Sequence, residues 1–413
     1  MMISRPRPGP RAVIEGSTPG RPGTGIVIGV AVGLCCALLA LGADLAQSLD
    51  SSGHSVAPFL IALPLALLPV PLLIAVVLLL DRLEPEPRGN LVFAFAWGAG
   101  IAALLALVIN TAGLVFVTQP ELGKTTGEYV SATFGAPVVE ESLKGGVLFW
   151  LLWRRRQEFD GPTDGIIYAA MVGLGFAMME NVGYYISALV RPAVGGISLL
   201  GLTFVFRGLL APLAHPMFTS MTGIGAAYAA THRRAGWAVG VGLLGAMILH
   251  GLWNGLTAFG LAGLVLAYGL LACVLAALIA VVVADRRRIV RLIRRFLPAY
   301  EASGLITEAE LQMLCTLRER HAARTWARRV GGRTAARAMT DYQLAATELA
   351  LAHQRAERGM VGAAGFGERR RALAGVMAAA RAVVSQYYPG APPPRGVPRP
   401  PGMPRPTGPR HRA

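Results

Sequence analysis

Three stretches of this chain, residues 24–43, 57–80 and 261–284, run for about 20 residues or more with almost no charge. A run of that length matches the hydrocarbon thickness of a bilayer. In lipid each backbone N–H and C=O has to be satisfied within the protein, so such runs fold as helices. Composition agrees: 54% of residues are hydrophobic, only 15% are charged and mean hydropathy is +0.51, against about 45–50% and about 25% in soluble chains. A secreted or cytosolic enzyme of ordinary type is excluded.

Counting apolar stretches gives eight helices, at about 25–43, 57–80, 91–117, 132–153, 165–190, 207–230, 236–258 and 261–284. The fold class expected is therefore all-α, a polytopic membrane helix bundle of about eight transmembrane helices with a cytoplasmic helical tail. The connectors alternate in charge. Arg5, Arg7, Arg11 and Arg21, then Arg82 and Arg88, then Arg154, Arg155 and Arg156, then Arg233 and Arg234, then the tail from Arg286 fall on one side. The other side carries chiefly Lys124 and Arg191. By the positive-inside rule both termini are cytoplasmic.

The first span also has the basic flank, apolar run and small-residue end of a signal peptide. Its 24-residue leader is long for one, so the segment is read as a retained span. Pro58, Pro64, Pro69 and Pro71 predict a kink in the second span. Gly236/Gly240 and Gly251/Gly255 provide small faces for close helix packing.

The formal charge of +16 would point to nucleic acid in a soluble protein, but nearly all the excess lies outside the spans. Residues 1–24 read as a disordered basic cytoplasmic N-terminus and 25–284 as the eight-helix transmembrane domain. Residues 285–387 read as cytoplasmic amphipathic helices with breaks at Gly304, Gly331/Gly332 and Gly359 to Gly367. Residues 388–413, dominated by Pro, Gly and Arg, read as a disordered tail. The basic tail is expected to meet anionic lipid headgroups, at about 1 kcal/mol per residue near the surface. Nucleic acid is not expected as a partner, because no stacking aromatics interleave with the arginines. The four cysteines suggest no disulfide framework, and oligomeric state is left open.

Ionisable residues inside the spans carry the chemistry, since each costs about 2.5–3.5 kcal/mol at a helix centre. The fourth span holds Glu140, Glu141 and Lys144, the fifth Glu180 and Asn181, the sixth His215 and Thr219, the seventh His250 and Asn254. Lys144 is notable because the chain has only one other lysine, Lys124, beside 37 arginines. Counted from the cytoplasmic helix ends at about 1.5 Å per residue, Glu141, Glu180, His215 and His250 all lie about 20–27 Å deep. Glu140/Lys144, His215/Thr219 and His250/Asn254 are each spaced i, i+4, so each pair faces one way.

Taken singly, Glu141/Lys144 reads as a structural ion pair or proton relay, and either histidine as a packing contact. Taken together, four helices delivering carboxylates and imidazoles to one level suit hydrolysis. A buried Glu serves as general base, and His/Glu side chains ligate a Lewis-acid metal such as zinc.

At these residues the sequence resembles the PrsW-type intramembrane proteases, relatives of the CAAX prenyl endopeptidases in the membrane-embedded glutamate protease superfamily. The resemblance rests on E-E-S-L-K at 140–144, F-A-M-M-E-N at 176–181, His215 followed by Thr219, H-G-L-W-N at 250–254 and D-R-L-E-P-E-P at 81–87. It covers about residues 60–285. It implies an intramembrane endopeptidase acting on a membrane-protein substrate, such as a single-span anti-sigma-factor-like regulator. It further implies Glu140 as general base, with Glu141 as its partner held by Lys144. Glu180, His215 and His250 would bind a divalent metal, zinc by preference, or the attacked carbonyl, and Asn254 would steady the oxyanion. CAAX-type relatives place Arg and His where this chain has Lys144 and Glu180, which favours the PrsW branch over prenyl-protein substrates.

Two other readings accommodate the same residues. An ion-coupled transporter would use them as a proton or cation pathway, although no internal repeat is evident. A catalytically silent scaffold of the same fold is separated from the protease only by an activity assay.

Overall fold

The computed structural model describes residues 23–80, 85–191 and 199–387, and among them every regular element is a helix. The basic leader, the 81–84 part of the D-R-L-E-P-E-P segment with Arg82, residues 192–198 and the proline-rich tail from 388 lie outside the described residues. The chain divides into two compact units, one spanning Pro22–Val283 and the other holding the C-terminal helices from Ala284.

The first unit begins with α1 (Thr24–Ser51) and α2 (Ala57–Leu80). The kink expected in α2 falls at residues 68–69, between Ala57–Leu67 and Val70–Leu80, where Pro69 lacks the N–H that would continue the ladder. Next come α3 (Arg88–Leu122), α4 (Ala136–Arg154), α5 (Pro162–Val190), α6 (Ala214–Thr231), α7 (Trp237–Thr257) and α8 (Gly260–Phe296), the last of which runs on from Ala284 as part of the second unit. Among the described residues, seven helices are long and apolar enough to cross a membrane. The eighth segment expected from the sequence folds as α4. It falls outside the apolar seven because Glu140, Glu141, Lys144 and Arg154 are on it. The protein is thus an all-α, polytopic integral membrane protein.

Helix α5 is the axis of this unit, buried on nearly every side by α1, α2, α3 and α6. Its start is fixed locally: Pro162 opens the helix, and the Asp164 carboxylate accepts the backbone N–H groups of Asp160 at 2.7 Å and Gly161 at 2.8 Å. Lipid tails are as apolar as Leu, so helix association here relies on backbone approach rather than on the hydrophobic effect. Gly173 provides such an approach to α6. A Cβ there would stand 2.5 Å from Pro216 N and 2.8 Å from the His215 carbonyl carbon.

Four wide π-helical turns interrupt the first unit: Trp97–Ala102, Leu114–Thr118, Ser131–Gly135 and Phe204–Leu210. Such turns re-aim side chains and recur at functional sites. The sixth span, expected as one helix over 207–230, is instead interrupted at residues 211–213 and resumes as α6. Pro212 and Pro216 explain the interruption. Pro216 sits in the first turn of α6, where its missing N–H has no partner to lose.

In the second unit, α9 (Glu308–Leu314) starts with a reciprocal cap. Thr307 Oγ1 accepts from Glu310 N at 3.3 Å while Glu310 Oε2 accepts from Thr307 N at 2.9 Å. Helices α10 (Leu317–Glu357) and α11 (Ala363–Gln386) pack on it around Leu314, Trp326, Leu349 and Leu373. Helix α10 is bent at Gly331 and Gly332, the latter with φ of 63°. Gly304 and Gly359 turn the chain with φ of 70° and 65°, a region that favours glycine. The helix breaks coincide with the glycines singled out from the sequence.

Candidate active site

Helix α4 delivers Glu140, Glu141 and Lys144 to the interior of the first unit, and all three are buried. The Lys144 ammonium is enclosed completely. It donates to Glu141 Oε1 at 2.9 Å, to Glu140 Oε2 at 3.2 Å and to His215 Nδ1 at 2.9 Å, so all three of its N–H bonds are used. Its ammonium also lies 3.8 Å from the centre of the Phe176 ring, from the F-A-M-M-E-N motif. Trp97, in the first wide turn, donates its indole N–H to Leu143 O at 2.8 Å and pins α4 from behind.

The two carboxylates of α4 have different surroundings. Glu141 has three donors: besides Lys144 it receives Thr219 Oγ1 at 2.8 Å and His250 Nδ1 at 3.0 Å. Glu140 receives Lys144 on Oε2 and the Asn110 amide on Oε1 at 3.2 Å. Its Oε2 also faces His250 Nε2 at 3.9 Å.

The chemistry of the neighbours assigns both imidazole tautomers. His250 Nδ1 faces a carboxylate oxygen and donates, leaving Nε2 with a lone pair directed at Glu140. His215 Nδ1 faces an ammonium, which has no lone pair, and therefore accepts. Its Nε2 donates to Glu180 Oε2 at 2.8 Å. The two rings are 5.0 Å apart and nearly perpendicular, with His250 stacked on Phe218 at 5.1 Å.

Glu140, His215 and His250 present ligand atoms within 4.8 Å of one another, all three side chains buried. Their fit to a divalent cation has a geometric test. The 3.9 Å between His250 Nε2 and Glu140 Oε2 is within reach of two zinc bonds of about 2.0–2.2 Å, at an angle wider than the tetrahedral one zinc prefers. Each imidazole also has its other ring nitrogen held by a carboxylate, the arrangement that orients metal-binding histidines. The residues fit the group once the Lys144 ammonium, which here donates to both Glu140 Oε2 and His215 Nδ1, gives up those two atoms.

This set differs from the one expected. Glu180 was expected to join His215 and His250, but the convergent carboxylate is Glu140. Glu180 is drawn aside by Arg207, whose guanidinium pairs with Glu180 Oε2, and it reaches the centre only through His215. Asn254 also departs from its expected position: its amide donates to Ala132 O at 2.9 Å, tying α7 to the wide turn that leads into α4. Among the described residues it bonds to none of the cluster's side chains.

Sequence reading assigned no role to Arg207 or Asn110. Arg207 had a signal, an arginine in an otherwise apolar stretch at the edge of the expected sixth span. Asn110, an amide in the middle of the third span, gave a weaker one.

The fold and this centre define a class: a polytopic helical membrane protein with a buried carboxylate, imidazole and ammonium cluster built from four helices. Residues 86–284 match the family described as PrsW family intramembrane metalloprotease. Among curated relatives, a protein named Protease PrsW from Geobacillus kaustophilus is 29% identical over 143 residues, 35% of this chain and 55% of the relative. Proteins of the same name from Oceanobacillus iheyensis and Clostridioides difficile are 28% and 34% identical. Those matches span 30% and 26% of this chain, and 54% and 43% of the relatives. The chain spans about half the length of the curated relatives it matches. No solved structure matches it.

Proposed function

We propose that this protein is an intramembrane endopeptidase that hydrolyses a peptide bond of a membrane-protein substrate with the help of a divalent metal, zinc by preference. The observation that carries this reading is the convergence of Glu140, His215 and His250 within 4.8 Å in a buried site. His250 through Nε2, His215 through Nδ1 and Glu140 through Oε2 would hold the cation. When bound, it supplies Lewis-acid polarisation of the scissile carbonyl and a water of lowered pKa.

The protein's own groups do the rest. Glu140 Oε1, steadied by the Asn110 amide, receives the proton of the attacking water. Glu141 holds the imidazole of His250, and Lys144 balances the two adjacent carboxylates of α4. Asn254 acts on α7 and the turn before α4 instead of on an oxyanion. The substrate class, single-span membrane regulators of the anti-sigma-factor kind, follows from the family resemblance.

The deciding experiment uses the full chain in proteoliposomes with a candidate single-span substrate, together with metal analysis of the protein. Cleavage that disappears on chelation and returns with zinc is the expected result. Cleavage that survives exhaustive chelation would remove the metal, and no cleavage of any single-span substrate tried would remove the reading. Cytoplasmic termini are part of the proposal, and a cysteine introduced at position 158 should resist an impermeant reagent added outside intact cells. Anionic headgroups are the proposed partners of the basic C-terminal region.

A further inference from the structure

Arg207 stands in the wide turn Phe204–Leu210, and that turn is anchored from two directions. Phe206 O accepts Ala211 N at 3.0 Å and the Tyr268 hydroxyl at 2.8 Å. Gly208 lies so close to Tyr185 that a Cβ would stand 2.8 Å from the tyrosine oxygen. The guanidinium is in turn held by three side chains of α5. Nε donates to Asn181 Oδ1 at 2.9 Å, Nη2 donates to Glu180 Oε2, and the group stacks 3.7 Å from the centre of the Tyr184 ring. A rigid planar fork suits this double grip, which a lysine would not reproduce.

Glu180 Oε2 is the atom that also receives His215 Nε2, so the pose of Glu180 on one side of the ring, together with the Lys144 ammonium on the other, sets which imidazole nitrogen carries the proton. We infer that Arg207 is a positioning residue: it fixes Glu180 so that His215 keeps its proton on Nε2 and presents a bare Nδ1 to Glu140 and Lys144. The inference rests on the metal-assisted reading for its catalytic consequence, but the tautomer is a property of the chain alone. A merely neutralising Arg207 would stabilise Glu180 without governing His215.

The test uses the full chain in detergent with 15N-labelled histidine, the His215 signals being assigned by their loss in His215→Gln. In the parent protein the shifts should report a protonated Nε2 and a bare Nδ1. In Arg207→Gln that tautomer should give way to a mixture, and Co(II) titrated into the protein should bind about 10–100-fold more weakly. Arg207→Lys keeps the charge and should recover only part of both signals. If Arg207→Gln does not insert, Asn181→Ala opens one side of the fork and should move the tautomer in the same direction. An unchanged tautomer in inserted Arg207→Gln, or in Asn181→Ala where that variant stands in, overturns the inference. Absence of Co(II) binding by the parent protein, with the tautomer shift still seen, overturns the metal reading and leaves Arg207 in its role.

Discussion

Glu141 Oε1 accepts the Nδ1–H of His250 at 3.0 Å, and this one bond turns the other nitrogen of the ring toward Glu140. The carboxylate next in sequence to a catalytic candidate is thus occupied in aiming an imidazole. It accepts from Lys144, Thr219 and His250.

Glu141→Ala should therefore weaken metal binding about 10–100-fold, the usual cost of losing the group behind a ligand. Thr219→Val, which removes one donor to Glu141 and keeps the shape, should cost less. Competition with a chromogenic chelator measures both, and equal affinity in Glu141→Ala and parent would contradict the aiming role.

Glu140 and Asn110 separate two functions. Glu140→Gln should abolish hydrolysis, by at least the roughly 10²–10⁴-fold of an acid–base group, and should lower bound metal as well. Asn110→Ala should reduce turnover while bound metal stays at the parent level, since the amide touches only Oε1. Metal content and kcat on the same preparations distinguish the two, and Asn110→Ala losing its metal would refute the division.

Lys144 balances two buried carboxylates, so removing it leaves uncompensated buried charge. Lys144→Ala should destabilise the protein by about 3–5 kcal/mol, the cost of breaking a buried pair from one side. Thermal unfolding in detergent reads this loss. A double substitution that also replaces Glu141 with Gln should unfold later than Lys144→Ala alone.

Gly173 sets the distance between α5 and the start of α6. A methyl group there meets Pro216 N at 2.5 Å and Pro216 Cα at 2.7 Å, backbone atoms that move only with the whole helix. Gly173→Ala should cost about 1–3 kcal/mol. Because the displaced residue is His215, activity should fall in the same variant, whereas Gly269→Ala, where no atom lies within 4 Å, should leave both unchanged.

His353 in the C-terminal unit gives a pH dependence outside the membrane. Its ring stacks on Phe296 at 4.9 Å, and Nε2 lies 2.8 Å from the Tyr300 hydroxyl. Burial foremost, and Arg370 nearby, hold its pKa below the ordinary value of 6.5. The folded chain then binds this proton less well than the unfolded one. The corresponding stability is full above about pH 6.5 and is lost as pH falls toward the depressed folded pKa. Between pH 7 and 5 the parent should lose melting temperature faster than His353→Gln, and parallel profiles would show that His353 does not titrate into the stability.

The sequence alone determined that this chain is a helical membrane protein and which helices carry its buried polar side chains. Apolar runs of span length permit only helices in lipid, and ionisable residues persist there only when they are used or paired. Glu140, Glu141, Lys144, His215 and His250 were therefore legible one by one, and the breaks at Gly304 and Gly331/Gly332 were visible because glycine turns a chain that other residues do not. Tertiary structure alone decided which of these atoms meet. Span counting gives depth along a helix but not rotation about it, so it could not see Arg207 pairing with Glu180. The wide turns shift helical phase without leaving a mark in hydropathy, which is why Asn254 points to Ala132 O and why Arg207 reaches Glu180. Partner choice among buried polar groups is set by distances of a few tenths of an ångström between different helices, and those distances exist only once the helices have packed.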